Sequence, residues 1–171
     1  ISPGNSYHDP GEYDYWDHID FLAELAEEKG LYLAMVPVWG SNIKKLNREQ
    51  ARTYAGWLAR RYAGRSNIIW LNGGDTKGDR YTEIWETIGQ EIHTRTPGQL
   101  MSFHPFGRCK SSMWFHESDW LDFNMFQSGH RRYDQDDTQL SYGEDNWKYV
   151  RDDYALHPVK PTLDGEPSYE G

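Results

Sequence analysis

The sequence predicts an α/β protein of the (β/α)8 barrel type, present as an incomplete barrel of about five βα units. Three observations predict it. Short apolar runs alternate with stretches of helical periodicity, the pattern of βαβ units around a parallel sheet. Each apolar run ends in polar, aromatic or glycine residues suited to a common mouth. An open doubly wound sheet would carry a glycine-rich phosphate turn after an early strand, and Gly73-Gly74 is too short for one. The 171 residues read as a single domain, 1–171. A complete barrel takes about 250 residues, so the expectation is a fragment lacking the first strands and the last strand.

The elements follow in order. Tyr15, Ile19, Leu22, Leu25 and Ala26 recur at helical spacing until Lys29-Gly30 stops them. Leu31 to Val38 is a near-continuous apolar run, as in a strand buried on both faces. Asn47 with Gln50 forms a capping box for a helix that buries Ala51, Tyr54, Ala55, Leu58 and Tyr62. Asn67 to Asn72 is the next strand. Asp79 is a candidate N-cap for a helix with Tyr81, Ile84, Trp85, Ile88 and Ile92 on one side, ended by Pro97-Gly98. Gln99 to His104 and Leu121 to Gln127 are strands, with a long loop rather than a helix between them. Trp147, Val150 and Tyr154 mark a further helix, and Val159 to Glu166 a final strand.

Bulk properties narrow the partners. A net charge of −9 and pI near 5.2 argue against nucleic acid, whose phosphates need a basic face. No apolar run is long enough to span a bilayer, and the start at Ile1 is neither Met nor signal-like, which points to upstream residues removed or left out. The one cysteine, Cys109, has no catalytic pattern around it and leaves the compartment open. Aromatics are enriched, with 8 Trp and 12 Tyr, which fits either a core of large rings or a cleft that packs on the C–H faces of sugars. Trp57, Trp70 and Trp85 fall within periodic elements and are expected in the core.

In parallel barrels the working residues sit where strands end. The endings here are Pro37-Val38-Trp39-Gly40, Asn72-Gly73-Gly74-Asp75, Phe103-His104-Pro105, Gln127-Ser128-Gly129-His130 and Asp164-Gly165-Glu166-Pro167. Cleavage of a glycosidic bond needs one carboxylic acid to protonate the leaving oxygen and one carboxylate to attack carbon or activate water. Asp75 and Glu166 are the candidate pair, three strands apart around a curved sheet. Asp75 also suits a turn or helix cap. Asp164 shares a face with Glu166 and is either a substrate ligand or a salt-bridge partner inside the barrel; Glu170 competes as nucleophile but lies in the loop beyond. Asn72, His104, Gln127 and His130 are candidates to bind sugar hydroxyls. Trp39 is the candidate stacking platform, and Trp114 and His116 are further candidates in the long loop. No cofactor and no metal are expected, since the histidines lack ligand spacing. Two rivals stand beside the hydrolase reading: a non-catalytic carbohydrate-binding barrel, and a metal-dependent barrel hydrolase using His104, His130 and Asp75.

The ordered set of motifs resembles the apiosidase-like glycoside hydrolases. The residues that carry the resemblance are Val36-Pro37-Val38-Trp39-Gly40, Asn67 to Asp75, Ser102-Phe103-His104-Pro105, Trp114-Phe115-His116, Asp119 to His130 and Lys160 to Glu170. The resemblance implies that the aspartate of Gly-Gly-Asp, Asp75, is the general acid/base and that the glutamate of Gly-Glu-Pro, Glu166, is the nucleophile of a retaining reaction. Tyr169, in the last of these motifs, joins the residues expected at the substrate. The resemblance further implies an exported bacterial enzyme, periplasmic or extracellular, that acts on oligosaccharides of plant cell-wall pectin and releases apiose. It implies the absent barrel strands and a C-terminal β-rich domain in the full-length protein. If the two carboxylates work together, retaining pairs stand about 5–5.5 Å apart and inverting pairs about 6.5–9.5 Å.

Overall fold

The computed structural model describes residues 13–130 and 145–167. Within them the elements run α1 (Tyr15–Glu28), β1 (Leu33–Met35), α2 (Arg48–Tyr62), β2 (Ile68–Thr76), α3 (Thr82–Arg95), β3 (Met101–Pro105), α4 (Ser112–Phe115), β4 (Asn124–Phe126), α5 (Trp147–Tyr154) and β5 (Thr162–Asp164). Every strand pairing is parallel: β1 with β2, β2 with β3, and β4 with β5. The chain is an incomplete (β/α) barrel, with helices outside the sheet and strand ends gathered at one rim.

Local chemistry sets the helix starts. Asp14 and Asp17 cap α1 reciprocally, and Asn47 with Gln50 does the same for α2. Each box satisfies backbone N–H groups that the first helical turn leaves unbonded. Asp79 is not the cap of α3. That position belongs to Tyr81, whose backbone is left-handed and whose side chain makes no capping bond. The 104–121 stretch is not wholly loop, because Ser112–Phe115 closes one helical turn.

The core lies between the sheet and the helices. Trp70, Trp85, Phe103, Phe115 and Trp120 are fully buried there with Leu58, Ile88 and Ile92. Their positions fix strand parity. Trp70 and Phe103 point to the helices, so Ser102 and His104 point the other way, into the barrel. On α5 the outward face is the apolar one: Trp147, Val150 and Tyr154 are exposed. The buried face carries Tyr149, stacked on Phe126 with ring centroids 4.8 Å apart, and Asp153, bonded to Lys110 Nζ at 2.9 Å and Ser112 Oγ at 2.6 Å. The helix was expected, and its face was not, because a buried ion pair carries no apolar signal.

The sheet divides between β3 and β4. At the base the two are stitched by Asp122 N–H to Met101 O and by Ser102 Oγ to Phe123 O. Higher up, residues 108–111 take the place beside β4: Arg108 N–H donates to Gln127 O, Gln127 N–H to Cys109 O, and Ser111 N–H to Met125 O. This inserted segment grips the main chain of Gln127 and leaves its side chain free to reach across the rim.

Candidate active site

Asp75 owes its position to a bulge. The β2–β3 register runs in step to Gly73 opposite His104, then jumps to Thr76 opposite Pro105. Gly73, Gly74 and Asp75 all take positive φ, at 100°, 96° and 46°. Such bulges re-aim a side chain beside active sites. Gly74 also has no room for a side chain, since a Cβ would stand 2.6 Å from the Trp39 ring. Trp39 therefore lies flat on the Gly74 backbone, 45% exposed, with its ring 6.2 Å from that of His104. The rim platform and the bulge are one packed unit.

Glu166 sits across the mouth beyond β5 and is held by donors. Gln127 Nε2 donates to Oε2 at 2.7 Å, and His130 Nε2 lies 2.7 Å from Oε1. His104 Nε2 approaches Oε2 at 3.4 Å. The Asp75 backbone N–H faces His104 Nδ1 at 3.5 Å, which assigns the ring proton to Nε2, the atom turned to Glu166. A carboxylate only accepts, so His130 presents its Nε2 proton as well. One donor atom each from Asp75, His104 and Glu166 lies within 4.8 Å of the others. The two carboxylates thus face each other at short range.

Among the described residues the same triad could hold a cation, and it differs from the His104, His130 and Asp75 of the metal-dependent reading. A ligating imidazole offers a lone pair to the metal and donates its other N–H to an acceptor. His104 has the reverse arrangement, with an N–H donor at Nδ1 and its own proton toward the carboxylates. In that tautomer His104 offers a metal no lone pair on the side facing the carboxylates.

Of the residues expected at the site, Asp75, Glu166, Trp39, His104, Gln127 and His130 come together at the rim. Three others do not. Asn72 shares the parity of Trp70 and lies fully buried behind the sheet, donating to Trp85 O at 2.9 Å. His116 is buried against Asn124, with Nδ1 3.2 Å from its Oδ1. Trp114 packs edge-on to Phe103 in the helix layer, under Gly78. Asp164 does stand at the rim, but its carboxylate is engaged by Ser128 N–H, Ser128 Oγ and Glu166 N–H. Tyr169 and Glu170 lie outside the described residues. The sequence signal for Asp164 was its spacing of two from Glu166; its bonds to Ser128 had none, because they cross between strands.

Known proteins share this fold. A solved glycoside hydrolase family 5 structure from Bacteroides vulgatus ATCC 8482 is 42% identical, with a TM-score of 0.90 over 99% of this chain and 39% of that one. A second structure, described as a glycoside hydrolase, is 44% identical with a TM-score of 0.88, over 99% of this chain and 41% of that one. The chain therefore spans about two fifths of the length of these relatives. The catalytic domain of an endoglucanase from Thermobifida fusca shares the fold at 16% identity and a TM-score of 0.56, over 90% of this chain and 51% of its own. No curated protein matches. The family model for the apiosidase-like catalytic domain matches residues 4–171, and the chain belongs to that family.

Proposed function

We propose that the full-length protein is a retaining O-glycoside hydrolase in which Glu166 is the nucleophile and Asp75 the general acid/base. The observation that carries this is the approach of the two carboxylates, whose facing oxygens lie within 4.8 Å. So close an approach supports a retaining pair, at about 5–5.5 Å, over an inverting one at about 6.5–9.5 Å. Glu166 attacks the anomeric carbon while Asp75 protonates the departing oxygen; Asp75 then activates water to release the sugar from Glu166. His130 bonds Glu166, His104 approaches it, and both with Trp39 border the space a sugar ring would fill.

The family's name and the exposed Trp39 face favour a plant cell-wall substrate: pectin-type oligosaccharides, with release of apiose. We extend the proposal to an exported bacterial enzyme. The remaining strands of the barrel would cover the trough between α1 and β1, where Leu22, Leu25, Leu31 and Tyr15 are exposed. An uncovered apolar face beside an unpaired strand edge is the kind of surface a barrel closes. A C-terminal β domain belongs to the same reading.

The test is turnover of pectin-derived oligosaccharides and an aryl apioside by the full-length protein. Glu166→Gln abolishes it, azide restores Glu166→Ala by forming a glycosyl azide of inverted configuration, and the first wild-type product retains its anomeric configuration. Equal rates for wild type and Glu166→Gln refute the assignment. Such indifference, with ligand binding intact, is what a non-catalytic carbohydrate-binding barrel would give.

A further inference from the structure

From the hydrogen bonds at the ends of β4 and β5 we infer that Asp164 is a positioning residue, a bracket that sets the register of the two loops bearing Glu166 and its donors. The inference rests on the reading of Glu166 as nucleophile and goes beyond it. Asp164 Oδ1 accepts two main-chain N–H groups, Ser128 at 3.2 Å and Glu166 at 3.3 Å, and Oδ2 accepts Ser128 Oγ at 2.7 Å. Gly129 N–H returns a bond to Glu166 O at 3.2 Å. The loops are joined at Ser128, and the two side chains that reach the Glu166 carboxylate, Gln127 and His130, stand on either side of that joint. Residues 108–111 hold Gln127 from the other flank. A shift at Ser128 therefore moves both donors relative to the nucleophile together. Oδ1 of Asp164 is committed to the two main-chain N–H groups and Oδ2 to one hydroxyl, so the side chain serves the loops with three of its acceptor positions.

The atom assignment makes the test sharp. Asparagine keeps Oδ1 for both N–H groups, and its amide can donate to Ser128 Oγ once that hydroxyl rotates. Alanine loses all three bonds. In the full-length enzyme, with the aryl apioside as probe, Asp164→Ala lowers kcat by about 10- to 100-fold at nearly unchanged KM, the scale of a misplaced reacting group. Asp164→Asn restores most of kcat. A loss confined to KM, or an asparagine variant as poor as alanine, overturns the inference. Should Asp164→Ala not fold, Ser128→Ala removes the Oγ bond alone: a lowered kcat at constant KM supports the bracket, and unaltered kcat together with unaltered amide exchange at Ser128 and Glu166 overturns it. Amide hydrogen exchange separates this from the catalytic assignment. Faster exchange at Ser128 and Glu166 in Asp164→Ala, but not in Asp164→Asn, reports the bracket even if Glu166→Gln keeps full turnover; unchanged exchange in both removes it.

Discussion

Substituting Gly74 by alanine tests whether bulge and platform are one unit. A Cβ there meets Trp39 Cε3 at 2.6 Å and Cδ2 and Cζ3 at 3.0 Å. Carbon atoms rest about 3.5–4.0 Å apart, so the ring has to retreat by about 1 Å. Crowding of this kind costs about 1–3 kcal/mol. A separate cost comes from the backbone: φ at Gly74 is 96°, and holding an L-residue there costs a further 1–3 kcal/mol or so. The whole effect is thus about 2–6 kcal/mol. Only the first part needs the Trp39 ring. Urea unfolding of wild type, Gly74→Ala, Trp39→Ala and the double variant separates them: with the ring gone, alanine at 74 costs only the backbone share. The expected coupling is about 1–3 kcal/mol. Additivity to within about 0.5 kcal/mol would show that the ring and the Gly74 backbone do not press on each other, and the account of the bulge would fail. Because Asp75 follows directly, kcat/KM of Gly74→Ala falls by roughly 100-fold on the same probe.

Two further outcomes are expected. Exhaustive chelation leaves turnover within about twofold of the untreated enzyme, since His104 turns its proton toward the carboxylates; a loss of tenfold or more, restored by a divalent cation, would reinstate a metal mechanism. Burial, with Tyr15 nearby as the lesser cause, pushes the Tyr54 phenol up from 10.0 to about 12. The folded state then holds that proton more tightly than the unfolded chain. Its contribution to stability is complete below pH 10 and is lost as pH rises through about 12. Urea unfolding across that window should show the decline, and Tyr54→Phe should reduce it; Tyr62, also raised by burial, accounts for the remainder. A phenolate titration with no late component would contradict the Tyr54 environment.

Most of the fold was legible because parallel strands and their helices write strong periodicities. All of the expected strands occur in the expected order, with some boundaries off by a single residue and others by several. The meeting of several strand-end side chains at one rim was legible because strand-end polar residues have few structural duties. What failed is instructive. Asn72 ends an apolar run, but Trp70 two positions earlier already commits that parity to the helix layer, and a bulge lies between Gly73 and the rim. Parity counted from the buried Trp would have moved the prediction from Asn72 to Asp75 alone. Trp114 lies within α4 and His116 at its end, on a single helical turn too short to leave a periodic trace, which buries His116 and packs Trp114 half-buried against the core. The bonds that cage Glu166 are not written in the chain, although His104, Gln127 and His130 all stand at strand ends. They come from two separate ends, β3 for His104 and β4 for Gln127 and His130, and the inserted segment 108–111 holds the Gln127 main chain.

That cage also says why the two carboxylates should not be interchangeable. Glu166 receives Gln127 and His130 at 2.7 Å on separate oxygens, with His104 at 3.4 Å. Among the described residues, no comparable side-chain donor bonds the Asp75 carboxylate, which the bulge lifts into solvent at the rim. A nucleophile has to be fixed in direction as it meets the anomeric carbon, and donors at both oxygens do that. An acid/base has to trade its proton first with the leaving oxygen and then with water, and it does so most easily when it is accessible and uncommitted. The two proposed roles demand opposite surroundings, and the sheet supplies one of each. Exchanging the residues, as Asp75→Glu with Glu166→Asp, would keep the charges and lose the reaction, because what separates the roles is the donors and the bulge rather than the carboxyl groups themselves.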